Sequence, residues 1–169
     1  SMPISARASV TAAVREAAAG ALDRTRAKRT LETYRAWIRG GGVEEEIRAI
    51  QVAGEMGGSE GVSILMEVLA DPCAEVRGAA VRALAAFPSP PVLKALWEML
   101  PRERGVVLGN ILEALGASGR KELAPHVEKF LDHPEPEVRS KAVSSLARMG
   151  DAGGGEKILA IAAAPGEPV

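Results

Sequence analysis

The chain of 169 residues is poor in the side chains that supply catalytic or cross-linking chemistry. It has a single cysteine, Cys73, which cannot form an internal disulfide, and only two histidines. Aromatic residues make up 3% of the sequence, so the core cannot be built mainly from rings. No run of about 18 or more apolar residues occurs, and the sequence predicts neither a membrane-spanning helix nor a secretory signal. We therefore expect a cytoplasmic protein without cofactors.

The composition is that of an ordinary folded domain, with 47% hydrophobic and 25% charged residues. Ala, Val, Leu and Ile must form the core, which favours thin layers of closely packed helices. The net charge is −1, but basic residues exceed acidic ones in residues 1–42. Their sharpest cluster is a basic turn, which is either a solvated turn or a candidate site for an acidic peptide, a phosphate or a nucleic-acid backbone: Arg24, Arg26, Lys28 and Arg29. The charge of the whole chain does not favour a nucleic-acid binder.

An internal repeat is the strongest pattern in the sequence. Residues 69–77 read Leu-Ala-Asp-Pro-Cys-Ala-Glu-Val-Arg, and residues 131–139, an offset of 62, read Leu-Asp-His-Pro-Glu-Pro-Glu-Val-Arg. Half of that offset also gives matching columns, so the period is 31 residues. One such column reads Leu22, Ala53, Leu84, Leu115 and Leu146.

Each 31-residue copy predicts a first and a second helix, because apolar residues recur three and four positions apart and Gly or Pro clusters separate them. The fold class is therefore all-α, a solenoid of about five helix pairs. We expect a disordered N-terminus at 1–8 that begins with a tag remnant, a repeat domain at 9–164 and a tail at 165–169. The predicted helices are 9–23, 27–39, 43–56, 60–70, 74–87, 90–100, 104–117, 121–132, 136–149 and 154–164.

The string Leu-x-Asp-Pro-x-x-Glu-Val-Arg-x-x-Ala-x-x-x-Leu, from Leu69 to Leu84, resembles the consensus of HEAT repeats. It is most similar to the short bacterial type named after phycobilisome lyases. The resemblance covers residues 9–164 and is strongest at 60–87 and 121–150. It implies a right-handed superhelix whose second helices line a concave face, and it implies that this face grips a protein partner.

The resemblance therefore places candidate binding residues on the second helices, at positions off their apolar stripe. We expect three rows of outward-facing residues, which include the small residues Gly78, Ala79 and Gly109. The candidate partner-binding residues on the concave face are Glu16, Arg48, Gln51, Arg82, Asn110, Glu113, Lys141 and Ser144.

The remaining polar residues favour structural roles over catalytic or metal-binding ones. His126 and His133 lack neighbouring cysteines, which zinc sites normally have, and no histidine pattern supports Cys73 as a nucleophile. We expect Arg77 and Arg139 to pair with acidic groups such as Asp71 and Asp132 at the repeat junctions. Trp37 and Trp97 fall in apolar register and are expected in the core.

The leading hypothesis is a non-catalytic scaffold or adaptor that binds a protein or peptide segment. Two alternatives follow from the resemblance: a subunit of a bilin lyase-type enzyme, which would bind an open-chain tetrapyrrole, and a HEAT-like protein that binds nucleic acid. A further expectation comes from the very apolar segment 154–164, which could form a homodimer contact or pack on a part absent from this sequence.

Overall fold

The computed structural model describes residues 42–150 and, before them, only Ala36. Over residues 42–150 seven α-helices follow one another, and this part of the chain contains no strand. None of these helices is long and apolar enough to cross a membrane. The helices are α1 Val43–Met56, α2 Gly58–Val68, α3 Ala74–Leu84, α4 Pro90–Met99, α5 Gly105–Ala117, α6 Ala124–Glu128 and α7 Pro136–Met149, and a 3₁₀ turn, Lys121–Leu123, precedes α6.

The all-α prediction is confirmed, and the chain divides into two compact units between Phe87 and Pro88. The described part of the first unit holds α1, α2 and α3, and that of the second holds α4 to α7. Helices α1, α3, α5 and α7 are the predicted second helices of the repeat, and α2, α4 and α6 are first helices. The number of five repeats stays a prediction.

In the first unit, α1 starts with Glu44, Glu45 and Glu46, whose charges complement the positive end of the helix dipole. Gly57 ends α1 and begins α2 with a φ of 59°, a conformation that costs glycine little and other residues much. This sharp reversal brings α2 back against α1. A fully buried Leu or Ile stabilises the fold by about 1.5–3 kcal/mol. The largest fully buried side chains in the described part of this unit are Ile50, Ile64, Leu65 and Leu84.

The second unit repeats this architecture with a richer aliphatic core. Helix α5 is hydrophobic over most of its surface, because it is covered from several sides. Pro90 and Pro136 stand at the first turns of α4 and α7, where the missing N–H has no partner to lose. The large side chains that are fully buried in this unit are Leu96, Met99, Leu108, Ile111, Leu112, Leu115 and Leu131.

The turn that enters α3 is held by an arginine. Asp71 Oδ1 accepts a hydrogen bond from the Cys73 backbone N–H at 2.7 Å. Arg77 Nη1 donates to the carbonyl oxygens of Asp71 and Pro72, both at 2.9 Å. One guanidinium therefore holds two of the five residues that separate the first and second helices, α2 and α3.

The turn that enters α7 is built in the same way, 62 residues later. His133 Nδ1 accepts from the Glu135 backbone N–H at 3.2 Å, and Arg139 Nη1 donates to the carbonyls of His133 and Pro134 at 2.8 and 2.9 Å. The prediction that Arg139 pairs with the Asp132 carboxylate is therefore wrong. The arginines order the turns through backbone carbonyls, which are fixed in position and need no acidic residue at 132.

Helix boundaries mostly agree with the sequence, and two predicted helices are shorter. The predicted helix 74–87 ends at Leu84, because Ala86 and Phe87 switch to bonds that span three residues ahead of Pro88. The predicted helix 121–132 is broken into the 3₁₀ turn and α6, and Phe130 and Leu131 again make three-residue bonds. The predicted helices 9–23 and 154–164 lie outside the described residues, and so does 27–39 apart from Ala36.

Candidate functional site

Three of the candidate binding residues are exposed on the second helices of the first unit. Arg48 and Gln51 lie on α1, and Arg82 lies on α3. Arg48 Nη2 pairs with Glu44 Oε2, one turn earlier on the same helix, at 3.7 Å. Both partners are well exposed, so this pair contributes little to stability.

A groove with a volume of about 420 Å³ runs between α1 and α3, and we call it the α1–α3 groove. Its floor is apolar, and three of its five members have no side chain larger than a methyl group. A partner side chain can therefore come close to both helix backbones. The floor consists of Ile47, Ile50, Gly54, Ala79 and Ala83.

The rims of the α1–α3 groove carry isolated polar groups. Gln51 and Glu55 line it from α1, Arg82 lines it from α3, and Ala86 lines it from the turn that follows α3. All four are exposed. Within residues 42–150, neither Glu55 nor Arg82 forms a hydrogen bond or an ion pair, so in this part of the chain each places an unpaired charge beside the apolar floor.

The equivalent face of the second unit lies between α5 and α7, and it is bridged. Lys141 Nζ donates to Glu113 Oε2 at 2.7 Å, across 28 residues of sequence. This hydrogen bond and the lysine charge lower the pKa of the Glu113 carboxyl below its ordinary value. Glu113 and Lys141 correspond by the 62-residue offset to Gln51 and Ala79 in the α1–α3 groove, where no such bridge can form.

A second contact closes the same face. Ser145 is buried on α7, and its hydroxyl donates to the Leu112 carbonyl oxygen of α5 at 2.7 Å. A Cβ added to Gly116 would lie 2.6 Å from the Ser145 Cα, so glycine alone allows this approach of the two helices. At the matching positions of the first unit, a Cβ on Gly54 would meet the Ala83 Cβ at an ordinary 3.4 Å.

Some of the residues predicted to face outward are buried. Gly78, Ala79 and Gly109 are all inside, and a Cβ on Gly109 would already contact Lys141 Cγ at 3.7 Å. The prediction of three clean outward rows is therefore wrong at these positions. Small residues on second helices are covered by the neighbouring helix or its long side chains. Asn110 is half-buried, and Ser144 is exposed.

Several residues that the sequence singled out fall outside the described part of the chain. They are Glu16, the basic turn of Arg24, Arg26, Lys28 and Arg29, and Trp37. The rim residues of the groove that sequence reasoning missed are Glu55, which lies four positions after Gln51, and Ala86, which lies four after Arg82. Helical spacing from the candidates could have found both of them.

Other polar clusters in residues 42–150 do not form a site. Trp97 is half-buried and stacks on His126, with ring centroids 5.2 Å apart and an interplanar angle of 7°, so the predicted core position is only partly reached. Burial and the nearby Asp71 carboxylate raise the pKa of Glu46. No group of three or more His, Cys, Asp or Glu residues in the described range is arranged to hold a metal ion.

Comparison with known families gives two matches, both to helical repeats. A family of HEAT repeats matches residues 43–108, and a family of the single HEAT repeat matches residues 123–152. The two matches between them include residues of both units. A comparison with curated proteins gives no match.

Solved structures with a similar fold include two enzymes by name. Human deoxyhypusine hydroxylase is 24% identical with a TM-score of 0.62, over 71% of this chain and 43% of its own. The complex of CpcE and CpcF of phycocyanin lyase, from a Nostoc species, is 23% identical with a TM-score of 0.63, over 95% and 65%. An engineered protein is 18% identical with a TM-score of 0.52, over 92% and 78%. The chain thus spans less than two thirds of the first two, and the likeness is one of fold.

Proposed function

Because the chain belongs to the HEAT-repeat family, we propose that it is a non-catalytic interaction scaffold that binds a segment of another protein on the exposed face of its second helices. One observation carries the proposal. The α1–α3 groove combines a small apolar floor with charged rims, and this combination suits the packing of partner side chains. The candidate contacts are Arg48, Gln51, Arg82, Asn110, Glu113, Lys141 and Ser144.

The fold of the structural neighbours is compatible with this function. CpcE and CpcF are described as a complex, so a protein of this fold does assemble with another chain. In the present chain, the charges on the second helices are of both signs and sit next to apolar surface. Interfaces that bind proteins have this mixed character, whereas a groove for a nucleic-acid backbone is predominantly basic.

A charge-reversal experiment tests the scaffold. The native protein and the variant Arg48→Glu, Arg82→Glu, Lys141→Glu are used as bait in lysate of the source organism, and retained proteins are identified by mass spectrometry. A matched control, Lys94→Glu, Arg120→Glu, Lys129→Glu, reverses the same number of charges at exposed positions that are not on the second helices. Circular dichroism verifies that both variants are helical.

We expect a protein that the native bait and the control retain and that the second-helix variant loses. The interaction is then repeated with the purified pair, so that an indirect association is not mistaken for binding. Equal recovery by all three baits would contradict binding on this face.

A further inference from the structure

We propose, as a step that rests on the scaffold function, that the α1–α3 groove receives an amphipathic helix of a partner protein, with short aliphatic side chains on the floor and a carboxylate beside Arg82. The groove runs along two neighbouring helices and is apolar along its floor. Gly54 and Ala83 line it with no side chain larger than a methyl group. A helix laid into such a groove can insert the aliphatic residues that recur on its apolar face.

The second unit does not offer this groove. Its matching positions carry Glu113 and Lys141, which bridge α5 and α7 at 2.7 Å, and Ser145, which bonds to the Leu112 carbonyl. A partner would have to break a charged pair and displace a buried hydroxyl to enter there. The proposed site for a partner helix is therefore confined to the first unit, and the candidate contacts of the second unit lie outside it.

Charge complementarity indicates which polar residues the partner helix carries. Arg48 is paired with Glu44, and Lys141 is paired with Glu113. Arg82, by contrast, has no ion pair within residues 42–150, although it stands on the rim beside the floor. An acidic residue that flanks the aliphatic ridge of the partner would supply the missing partner of Arg82.

The opposite rim adds a second requirement. Glu55 faces the same groove from α1 and is also without an ion pair in the described range. It favours a basic residue on the other flank of the partner helix and repels an acidic one. The two rims together select a helix with opposite charges on either side of its ridge, as flanking positions do in helical zippers.

Peptide selection tests the proposal. A displayed library of random peptides of about 18 residues, roughly five helical turns, is selected on the full native chain alone, and each selected peptide is then titrated against the native chain and Ala83→Leu. Leucine at this position enters the groove and keeps a high helix propensity. The matched control is Ala83→Ser, because serine adds only one oxygen atom to alanine and is too small to fill the groove.

We expect selected peptides that bind the native protein and Ala83→Ser alike, bind Ala83→Leu at least ~10-fold more weakly, and carry aliphatic residues three and four apart. Reversal of their acidic residue to Lys should weaken binding by ~5-fold, the size expected for one exposed charge pair, and Arg82→Glu should restore it. The same exchange with Glu55→Lys should rescue reversal of the basic residue.

Three outcomes would overturn the proposal. Peptides that bind Ala83→Leu as well as the native chain would place the site elsewhere. If Arg82→Glu does not restore binding of the charge-reversed peptides, Arg82 does not contact the acidic residue of the partner helix. A concentration-dependent dimer in sedimentation equilibrium that Ala83→Leu abolishes would identify a second copy of this chain as the occupant. None of these three outcomes changes the interpretation of the capture experiment, which tests the scaffold function independently.

Discussion

Gly54 and Gly116 occupy equivalent positions in α1 and α5, yet the surroundings of the two glycines differ. A Cβ on Gly54 would rest at an ordinary distance from Ala83, whereas a Cβ on Gly116 would collide with the backbone of Ser145. The same helix pair is therefore open in the first unit and closely joined in the second. One repeat pattern thus specifies the helices and leaves the separation of their exposed faces to a few small residues.

Filling the tight contact should perturb the protein most. Gly116→Ala should lower the free energy of unfolding by about 2 kcal/mol, because the atom it meets is the Ser145 Cα, which cannot move without its helix. Gly54→Ala is the matched control and should be neutral or stabilising by up to about 1 kcal/mol, since alanine is the better helix former. Urea unfolding followed by circular dichroism measures both. Equal changes in the free energy of unfolding for the two variants would contradict the inferred difference in helix separation between the units.

A smaller loss should follow removal of the buried hydroxyl. Ser145→Ala should cost about 1 kcal/mol, because it deletes the hydrogen bond to the Leu112 carbonyl in a buried position. The reciprocal change, Ala83→Ser, lies in the open groove and should change stability by no more than about 0.5 kcal/mol. The same unfolding experiment compares them. A loss at Ala83→Ser as large as at Ser145→Ala would show that the grooves are equally closed.

Of these three contacts, the bridge between Glu113 and Lys141 should contribute least to the free energy of unfolding. Both side chains are partly exposed, so Glu113→Gln should cost no more than about 0.5 kcal/mol at neutral pH and less in high salt. The Lys141 hydrogen bond lowers the pKa of Glu113 in the folded state. The stabilisation is therefore complete above the ordinary glutamate pKa and is lost as the pH falls through the lowered folded value.

The measurement is the difference in unfolding free energy between the native protein and Glu113→Gln, taken from neutral pH to about pH 3. We expect this difference to shrink toward zero at the acid end. Gln51→Ala is a control at the matching position, where no ion pair exists, and should show no such trend. A difference for Glu113→Gln that does not vary with pH would contradict the bridge.

Much of the fold could be predicted because the same pattern of apolar and turn residues recurs in several copies along the sequence. The 62-residue offset and the apolar spacing predicted α1 and α7 with the same bounds that the structure has, and the Asp-Pro and His-Pro turns between helices. The family matches confirm the type of repeat. The break in the helix at 121–132 could not be predicted, because a 3₁₀ turn and an α-helix bury the same apolar residues, such as Leu123 and Val127.

The face of the second helices was harder to predict for a different reason. Periodicity placed Glu113 and Lys141 on one face, but it could not show that they bond to each other rather than to a partner. Nor could it distinguish Gly54 from Gly116, because the deciding quantity is a small difference in helix separation. Alanines such as Ala83 look like core residues in sequence, although in the structure Ala83 is only half-buried and lines a groove.

The arginine turns have a consequence for motion. In each, two backbone carbonyls and one amide are held by side chains, so the corner between a first and a second helix is stiff. We therefore expect bending motions of the chain to occur in other segments rather than in these two turns. The Cys73 and Glu135 amides, which donate to Asp71 and His133, should exchange with deuterium more slowly than the exposure of their loops would suggest. Arg77 and Arg139 thus each hold two carbonyl groups of a turn in fixed positions. A lysine, with its single point charge, could not bridge both carbonyls.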